Sequence, residues 1–492
     1  MPVSAPSRPD ARTLLGPRHW ARLEGWGMAV SALGHLVRPR DVDQLRELFA
    51  FARQSGTPVT LRGGGRSYGD AAIGQDCLVL DLTAMNRILA WDPQTGIVDA
   101  EPGVTIEQLW KRIVPDGWWP AVVSGTMFTT MGGCAAMNIH GKNNYRVGPF
   151  GDHVLEFDLL LPSGELLTCD RQRHADLFHA AIGGFGMLGC FTRIRLRAKK
   201  VHSGNLAIEV FPTTSIPHMI EEFEDRAPDA DYLVGWIDCI AGGRSSGRGI
   251  VHRADYLREG IDPMPRESLV LRAQDLPTKI LGVPKSLLWW PLGMFTNNTG
   301  MRAINAAKFH ASRLAPVGAV YPQAHAAFAF LLDYVPNWKW AYKPGGLIQY
   351  QSFIPRASAA RTFDNLLRMS RKAGLPAYLS VFKKHRPDPF LLTHAVDGYS
   401  LALDYRVTAG NREALWRLCH RMDEVVLAAG GRFYFAKDLT LRPRTVTRFL
   451  PRENLDAFVA LKQRCDPDNV LQTDLSRRLF TSLFAGSGPQ NS

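Results

Sequence analysis

Thr60-Leu61-Arg62-Gly63-Gly64-Gly65-Arg66-Ser67-Tyr68-Gly69-Asp70 is the stretch from which the rest of the chain is read. Three consecutive glycines follow a β-like run, Pro58-Val59-Thr60-Leu61, and Arg62 and Arg66 flank them. Glycine adopts backbone conformations closed to other residues and lets the main chain come close to a ligand. Successive N–H groups turned to one side make an anion-binding concavity without a helix. On these residues alone two readings stand side by side. One is a loop that cradles a pyrophosphate; the other is a surface turn, which Gly-Gly runs usually are.

A second glycine motif narrows the fold. Gly184-Phe185-Gly186-Met187-Leu188-Gly189 matches G-x-G-x-x-G. A Rossmann domain needs a strand before that motif and a helix after it. Here residues 176–182 read as a short helix and residues 190–196 as a strand, so the order is inverted. The Rossmann reading is excluded. What is left is close backbone approach to something flat or anionic, or tight packing.

Working outward, residues 35–56 predict a helix with Asp41 as N-cap and Gly56 as its stop. Residues 77–82 read as a strand, and 88–91 and 97–100 as a hairpin around Asp92-Pro93-Gln94-Thr95-Gly96. Residues 105–114 read as a helix, with 154–161 and 166–169 as further strands. Many short strands with few helices give an α+β class rather than regular βαβ alternation. Past residue 201, strands are expected at 208–211, 233–240, 249–253, 347–354, 378–383 and 399–406, and helices at 359–373 and 412–429. Residues 256–338 are rich in Pro, Trp and Phe with weak periodicity, which predicts a long irregular segment of the lid or binding-surface kind.

Composition excludes more than it selects. Lys and Arg number 58 against 46 Asp and Glu, a net charge of +12, which suits anionic partners of several classes. A nucleic-acid-binding protein is one reading of that charge, but no binding motif or clustered basic arm accompanies it. Seven cysteines without a CxxC pair argue against a disulfide framework or a zinc module, and imply no metal site and a reducing compartment. No run reaches the roughly 18 apolar residues of a membrane span, and the first 18 residues lack the apolar core of a signal peptide. Residues 1–19 are expected to be a flexible leader and 484–492 a disordered tail.

Two further stretches carry chemistry. Met131-Gly132-Gly133-Cys134-Ala135-Ala136-Met137-Asn138-Ile139-His140-Gly141-Lys142-Asn143 is built of small residues that would let a backbone lie against a planar cofactor, with His140 and Lys142 projecting into the site. In Tyr434-Phe435-Ala436-Lys437-Asp438 a lysine sits among apolar neighbours on an expected strand. A semi-buried lysine is readily tuned; the alternative is an edge-strand lysine with its amine in water.

Taken together, residues 62–70, 125–143 and 183–189 resemble the FAD-binding domain of the vanillyl-alcohol oxidase superfamily, PCMH type. Arg-Ser-Tyr-Gly-Asp at 66–70, His-Gly-Lys-Asn at 140–143, Val-Phe-Lys at 381–383, Ala-Lys-Asp at 436–438 and Asp-Leu-Ser-Arg-Arg-Leu at 474–479 narrow the resemblance. With Leu23-Glu24-Gly25-Trp26-Gly27, they are similar to the decaprenylphosphoryl-β-D-ribose 2′-oxidase family within that superfamily. The resemblance implies a two-subdomain FAD-binding domain over 20–200 and an α+β substrate, or cap, domain over 201–430. It also implies a C-terminal segment, 431–483, that returns to complete the active site.

The chemistry implied by the resemblance is FAD-dependent oxidation of a sugar hydroxyl to a ketone. In the family this is the 2′-hydroxyl of a polyprenyl-phosphoryl ribose, in ribose-to-arabinose epimerisation, with a separate short-chain reductase acting on the keto product. The implied partner is a lipid-linked sugar phosphate, with no nucleic acid, and the implied place is the cytoplasm with peripheral contact at the inner membrane. Motif by motif, the first FAD loop comprises Arg62, Gly63, Gly64, Gly65, Arg66, Ser67, Tyr68, Gly69 and Asp70. The second comprises Gly125, Thr126, Gly132, Gly133, Asn138, His140, Gly141, Lys142 and Asn143, and the third Gly184, Gly186 and Gly189. Lys437 is the first candidate for contacting the reacting hydroxyl or the flavin and His140 the second, with Lys383 and Gln351 as the other catalytic candidates. Gln349, Tyr350 and Ala402 complete the substrate side.

The chain departs from the family at Ala402, where mycobacterial members carry a cysteine. Superfamily members with covalent flavin place a histidine in the first glycine loop; Ser67 and Tyr68 here imply non-covalent FAD. A soluble alditol or aldonolactone oxidase on the same fold stays open as an alternative, and so does an inactive scaffold.

Overall fold

The computed structural model describes residues 17–280, 282–314, 316 and 318–485. Of the expected leader and tail, only residues 17–19, a 3-10 turn, and 484–485, which close the helix Thr481–Ala485, fall within that range.

Strands β1 (Trp20–Glu24), β2 (Ser31–Val37), β3 (Val59–Arg62) and β4 (Leu78–Asp81) form one sheet in the order β1-β2-β4-β3. Helix α1 (Val42–Ser55) crosses over between β2 and β3 and buries Leu45, Leu48, Phe49 and Ala52. The helix expected from residue 35 starts later, because His35 to Val37 finish β2. Pro39 keeps the residue before it out of helical conformation, and Asp41 accepts from Gln44 N at 2.8 Å as the cap. Gly56 ends α1 at φ +66°. The glycine loop leaves the end of β3.

A second, antiparallel sheet holds β5 (Ile88–Asp92), β6 (Ile97–Ala100), β7 (Val154–Leu160), β8 (Leu166–Asp170) and β9 (Cys190–Arg197), ordered β5-β6-β9-β7-β8. Helix α2 (Ala175–Ala181) precedes the 184–189 turn and β9 follows it, the inverted order read from the sequence.

The third sheet has eight strands. They are β10 (Asn205–Thr213), β11 (Tyr232–Ile237), β12 (Gly249–Tyr256), β13 (Tyr321–Ala324), β14 (Leu347–Pro355), β15 (Leu379–His385), β16 (Gly398–Arg406) and β17 (Arg432–Phe433). Their order is β13-β10-β12-β11-β15-β16-β14-β17. Helices Ile216–Arg226, Arg356–Lys372 and Arg412–Ala428 pack against its strands through stripes such as Ala359, Phe363 and Leu366. Successive side chains in a strand point to opposite faces, so the pairing register decides what the other face carries. Gln351 lies opposite Ala402, and Gln349 opposite Asp404. Lys383 lies opposite Ser400, and Val381 opposite Ala402. One face thus collects Gln349, Gln351, Lys383, His385, Ser400, Ala402 and Asp404.

Two expectations need correction. Residues 256–338 are not irregular throughout: Asn298–Ser312 is a 15-residue helix capped by Asn297, which accepts from Gly300 N at 2.9 Å. Its buried stripe is only Met301, Asn305 and Phe309, so the apolar period is faint in the sequence. Lys437 is not on a strand. β17 ends at Phe433, and residues 435–437 form a turn closed by Lys437 N donating to Tyr434 O at 3.0 Å.

The chain's end returns to its beginning. Val59 N donates to Val470 O at 2.7 Å and Gln472 N to Val59 O at 2.8 Å. The Arg478 guanidinium bridges Asp70, at 2.8 and 2.9 Å, and Asp438, at 2.8 Å. The two loops meet so closely that a Cβ on Gly69 would sit 1.9 Å from Asp438 O.

Candidate active site

A cavity of about 490 Å³ is lined on one side by the glycine loops and on the other by the open face of the eight-stranded sheet. From the loops come Arg62 to Tyr68, Gly125, Thr126, Gly132, Gly133, His140, Lys142, Asn143, Gly186 and Gly189. From the sheet side come Gln349, Gln351, Lys383 and Ala402, and the turn adds Lys437. Arg62 and Lys437, 375 positions apart in the chain, therefore share one space.

Six residues expected at the site do not line it. Tyr350 points the other way along β14, its hydroxyl donating to Asp423 Oδ1 at 3.1 Å; the period of two puts Gln349 and Gln351 inside and Tyr350 outside. Asp70 is taken by Arg478, and Gly69 is pressed against Asp438. Asn138, at φ +42°, accepts from Gly151 N at 2.9 Å and shapes the second loop from behind. Gly141 sits against the Asn143 side chain. Gly184 abuts Ala180 O, where a Cβ would meet it at 2.4 Å, so its role is packing.

The loop side fits a dinucleotide cofactor. Its surface is largely main chain and small side chains, with Gly186 at φ +80° turned to the cavity. Arg66 supplies positive charge, and its Nε is buried without a hydrogen-bond partner among the described residues. Ser67 and the loop amides add neutral donors suited to phosphate and ribose oxygens, while Thr126 gives its hydroxyl hydrogen to Asp333 Oδ1 at 2.8 Å.

The other side is dense in titratable groups held away from water. Lys383 Nζ lies 3.4 Å from His140 Nδ1, and Gln351 Nε2 lies 3.3 Å from His140 Nε2. Burial, then the charge of Lys383, pushes the His140 pKa well below the ordinary imidazole value. Burial alone lowers Lys383 to about 8. Lys142 donates to Phe328 O, lies 4.1 Å from the Phe328 ring centre, and is also pushed down by burial. Lys437 Nζ stands 3.9 Å over the Tyr68 ring; burial lowers its pKa while Asp404 pulls it up. Asp404 in turn accepts from Gln349 Nε2 at 2.5 Å. Such displaced values gather where chemistry is done.

Comparison with known proteins agrees with this geometry. The sequence matches the FAD binding domain family over residues 34–170. It is 30% identical over 490 residues to the decaprenylphosphoryl-β-D-ribose oxidase of Mycolicibacterium smegmatis, covering 94% of this chain and 98% of that one. The chain belongs to this oxidase family. Shorter matches reach the bovine L-gulonolactone oxidase, 26% identical over 44% of this chain and 47% of that one. A cytokinin dehydrogenase of Oryza sativa is 27% identical over 45% of this chain and 41% of its own. The protein is an FAD-dependent oxidoreductase of α+β fold.

The sequence reading missed several groups of the oxidase's cavity region. Lys308, from the helix hidden in the irregular stretch, lines the cavity with its amine 4.3 Å over the Trp236 ring. Burial lowers its pKa to about 8. His252 lines the same end and falls to about 4 by burial. His385, Ser400 and Asp404 stand on the inward face of β15 and β16. The signal for His385 was available, since it lies two positions beyond Lys383 on a strand.

Proposed function

We propose that the oxidase removes hydride from the 2′-carbon of a polyprenyl-phosphoryl ribose, leaving a ketone for a separate reductase. The single observation that carries this reading is the reach of the match. The decaprenylphosphoryl-ribose oxidase of M. smegmatis aligns over 94% of the chain, and so takes in the sheet that forms the substrate side. The L-gulonolactone oxidase match stops at 44% and supports a soluble lactone oxidase more weakly.

Bound FAD, held without a covalent link by the loops at 62–68 and 125–143, supplies the hydride acceptor for a CH–OH group. The remaining work falls to side chains. Lys437, brought towards neutrality by burial, accepts the hydroxyl proton from within hydrogen-bond reach. Gln349 holds Asp404, which fixes the local charge facing Lys437. Lys383 offers a donor to the sugar, and Gln351, whose amide hydrogens go to Ser400 and His140, offers its carbonyl oxygen. Lys308 presents its amine to the cavity over the Trp236 indole, and an anionic phosphoryl group would complement it. A neutral lactone gives it no partner. Ala402 leaves room beside Gln351 and Val381 where a cysteine would project a thiol.

A lipid tail must leave the cavity. Leu331, exposed, lines it and marks a mouth. Beside it, Lys285 lies 3.4 Å from the Tyr334 ring centre, and the helix Trp289–Phe295 packs on Trp338–Tyr342. That helix exposes Trp290, Met294 and Phe295. No helix of the described residues is long and apolar enough to cross a membrane, and this patch, with the exposed Lys343 over the Trp340 ring, suits peripheral contact with an anionic surface.

Anaerobic mixing tests the substrate. A polyprenyl-phosphoryl pentose should bleach the flavin absorbance within a turnover, and free alditols or aldonolactones should not. Bleaching by a lactone alone would move the assignment to the lactone oxidases.

A further inference from the structure

A row of buried polar side chains runs from behind the sheet into the cavity, and its direction can be worked out from one fixed end. The main-chain N–H of Arg386 donates to Asn144 Oδ1 at 3.4 Å. A peptide N–H cannot turn round, so that atom is the amide oxygen. His385 Nδ1 lies 3.0 Å from the same oxygen and must carry its proton. A neutral imidazole has one N–H, so His385 Nε2 is bare and accepts from the Ser400 hydroxyl at 2.7 Å. Having given its hydrogen away, Ser400 Oγ accepts from the Gln351 amide at 3.2 Å. The second hydrogen of that amide faces His140 Nε2 at 3.3 Å, which accepts it. The His140 proton is then on Nδ1, pointing at Lys383 Nζ 3.4 Å away.

An ammonium has no lone pair to receive that proton's hydrogen bond; a neutral amine does. Lys383 can also donate to His140 O, 3.5 Å distant, which leaves one N–H for the cavity. We infer that His385 and Ser400 are positioning residues that hold His140 as the Nδ1–H imidazole, with Lys383, where its amine is neutral, as the hydrogen-bond acceptor. Neither nitrogen of His140 is then free to take a proton from a substrate. The surroundings agree: the other titratable groups facing His140 are Lys437, His394 and the neutral phenol of Tyr434, and Lys142 faces Lys383, so a second positive charge here is opposed. Both imidazoles are pushed well below their ordinary values by burial.

This deepens the proposed reading, because it removes His140 as a base and leaves Lys437. Its test uses no substrate, so the two can fail separately. In FAD-loaded protein labelled with [15N]histidine, long-range 1H–15N correlation at alkaline pH reports each tautomer, with His140→Gln and His385→Gln identifying the signals. His140 and His385 should both show the Nδ1–H pattern. An Nε2–H or imidazolium pattern at His140 overturns the inference, and this first spectrum decides even if later variants fold poorly. Ser400→Ala cuts the row, and His140 should then lose its single-tautomer pattern; Ser400→Thr, which keeps the hydroxyl, should restore it. An unchanged His140 in Ser400→Ala would also overturn it.

Discussion

At Gly63, Gly64 and Gly65 the cavity wall is main chain; across from it, on β14, β15 and β16, the wall is side chain. The first wall leaves almost no room for anything beyond a hydrogen on its α-carbons. A Cβ on Gly64 would stand 2.5 Å from Phe128 O, and on Gly63 2.3 Å from Thr130 Oγ1. The second wall is the reverse: every other residue projects inward, and burial then displaces the pKa of what it projects. The difference separates two tasks. Shape and fixed dipoles hold a cofactor that is always the same, while tunable groups act on the substrate. A change on one wall should leave the other's function standing.

The largest breach is expected on the glycine wall. Gly64→Ala forces the loop off Phe128, an overpacking cost of about 1–3 kcal/mol, so FAD should bind roughly 10- to 100-fold more weakly by absorbance titration. Protein that does take up FAD should be reduced at nearly the wild-type rate. On the facing wall, Lys383→Met should change stability rather than cofactor affinity. Lys383 falls from 10.5 to about 8 on folding. The unfolded chain therefore binds more protons between those values, and wild-type stability rises with pH across that window. Lys383→Met should lose this rise and be more stable than wild type at pH 7 by about 1–3 kcal/mol in denaturant titrations. Next, Lys308→Met should raise KM for a phosphoryl-pentose lipid about 10-fold, the scale of one charged hydrogen bond, with FAD affinity unchanged. The smallest effect on chemistry should come from the patch. Trp290→Glu with Met294→Glu should leave turnover in detergent within about twofold, as surface changes do, while cosedimentation with anionic vesicles falls.

The same division governs how much the sequence reveals. The glycine wall is local: its loops are contiguous runs whose composition is their function, and Arg62 to Tyr68 can be read in order. The failed strand–helix context at Gly184 could be read too, because α2, the turn and β9 are neighbours in the chain. The sheet wall is not local. That Gln351, Ala402 and Lys383 share a face depends on pairings between strands up to about 55 residues apart, and no run of sequence states them. The family resemblance, rather than periodicity, brought Lys383 forward, whereas Lys437 stood out first by its apolar neighbours. Tyr350 shows where local logic was available and not applied, since its neighbours Gln349 and Gln351 require it to face the helices. Lys308 was hidden because its helix buries an asparagine in the middle of a three-residue stripe.

Lys437→Ala tests the separation of the walls most directly, through two measurements on one protein: the FAD dissociation constant and the rate of anaerobic flavin reduction by a phosphoryl-pentose lipid. With cofactor held by the loops and the proton taken by Lys437, reduction should slow by about 10²- to 10⁴-fold while FAD affinity stays close to wild type. Wild-type reduction in that variant, or loss of FAD with it, would contradict the account.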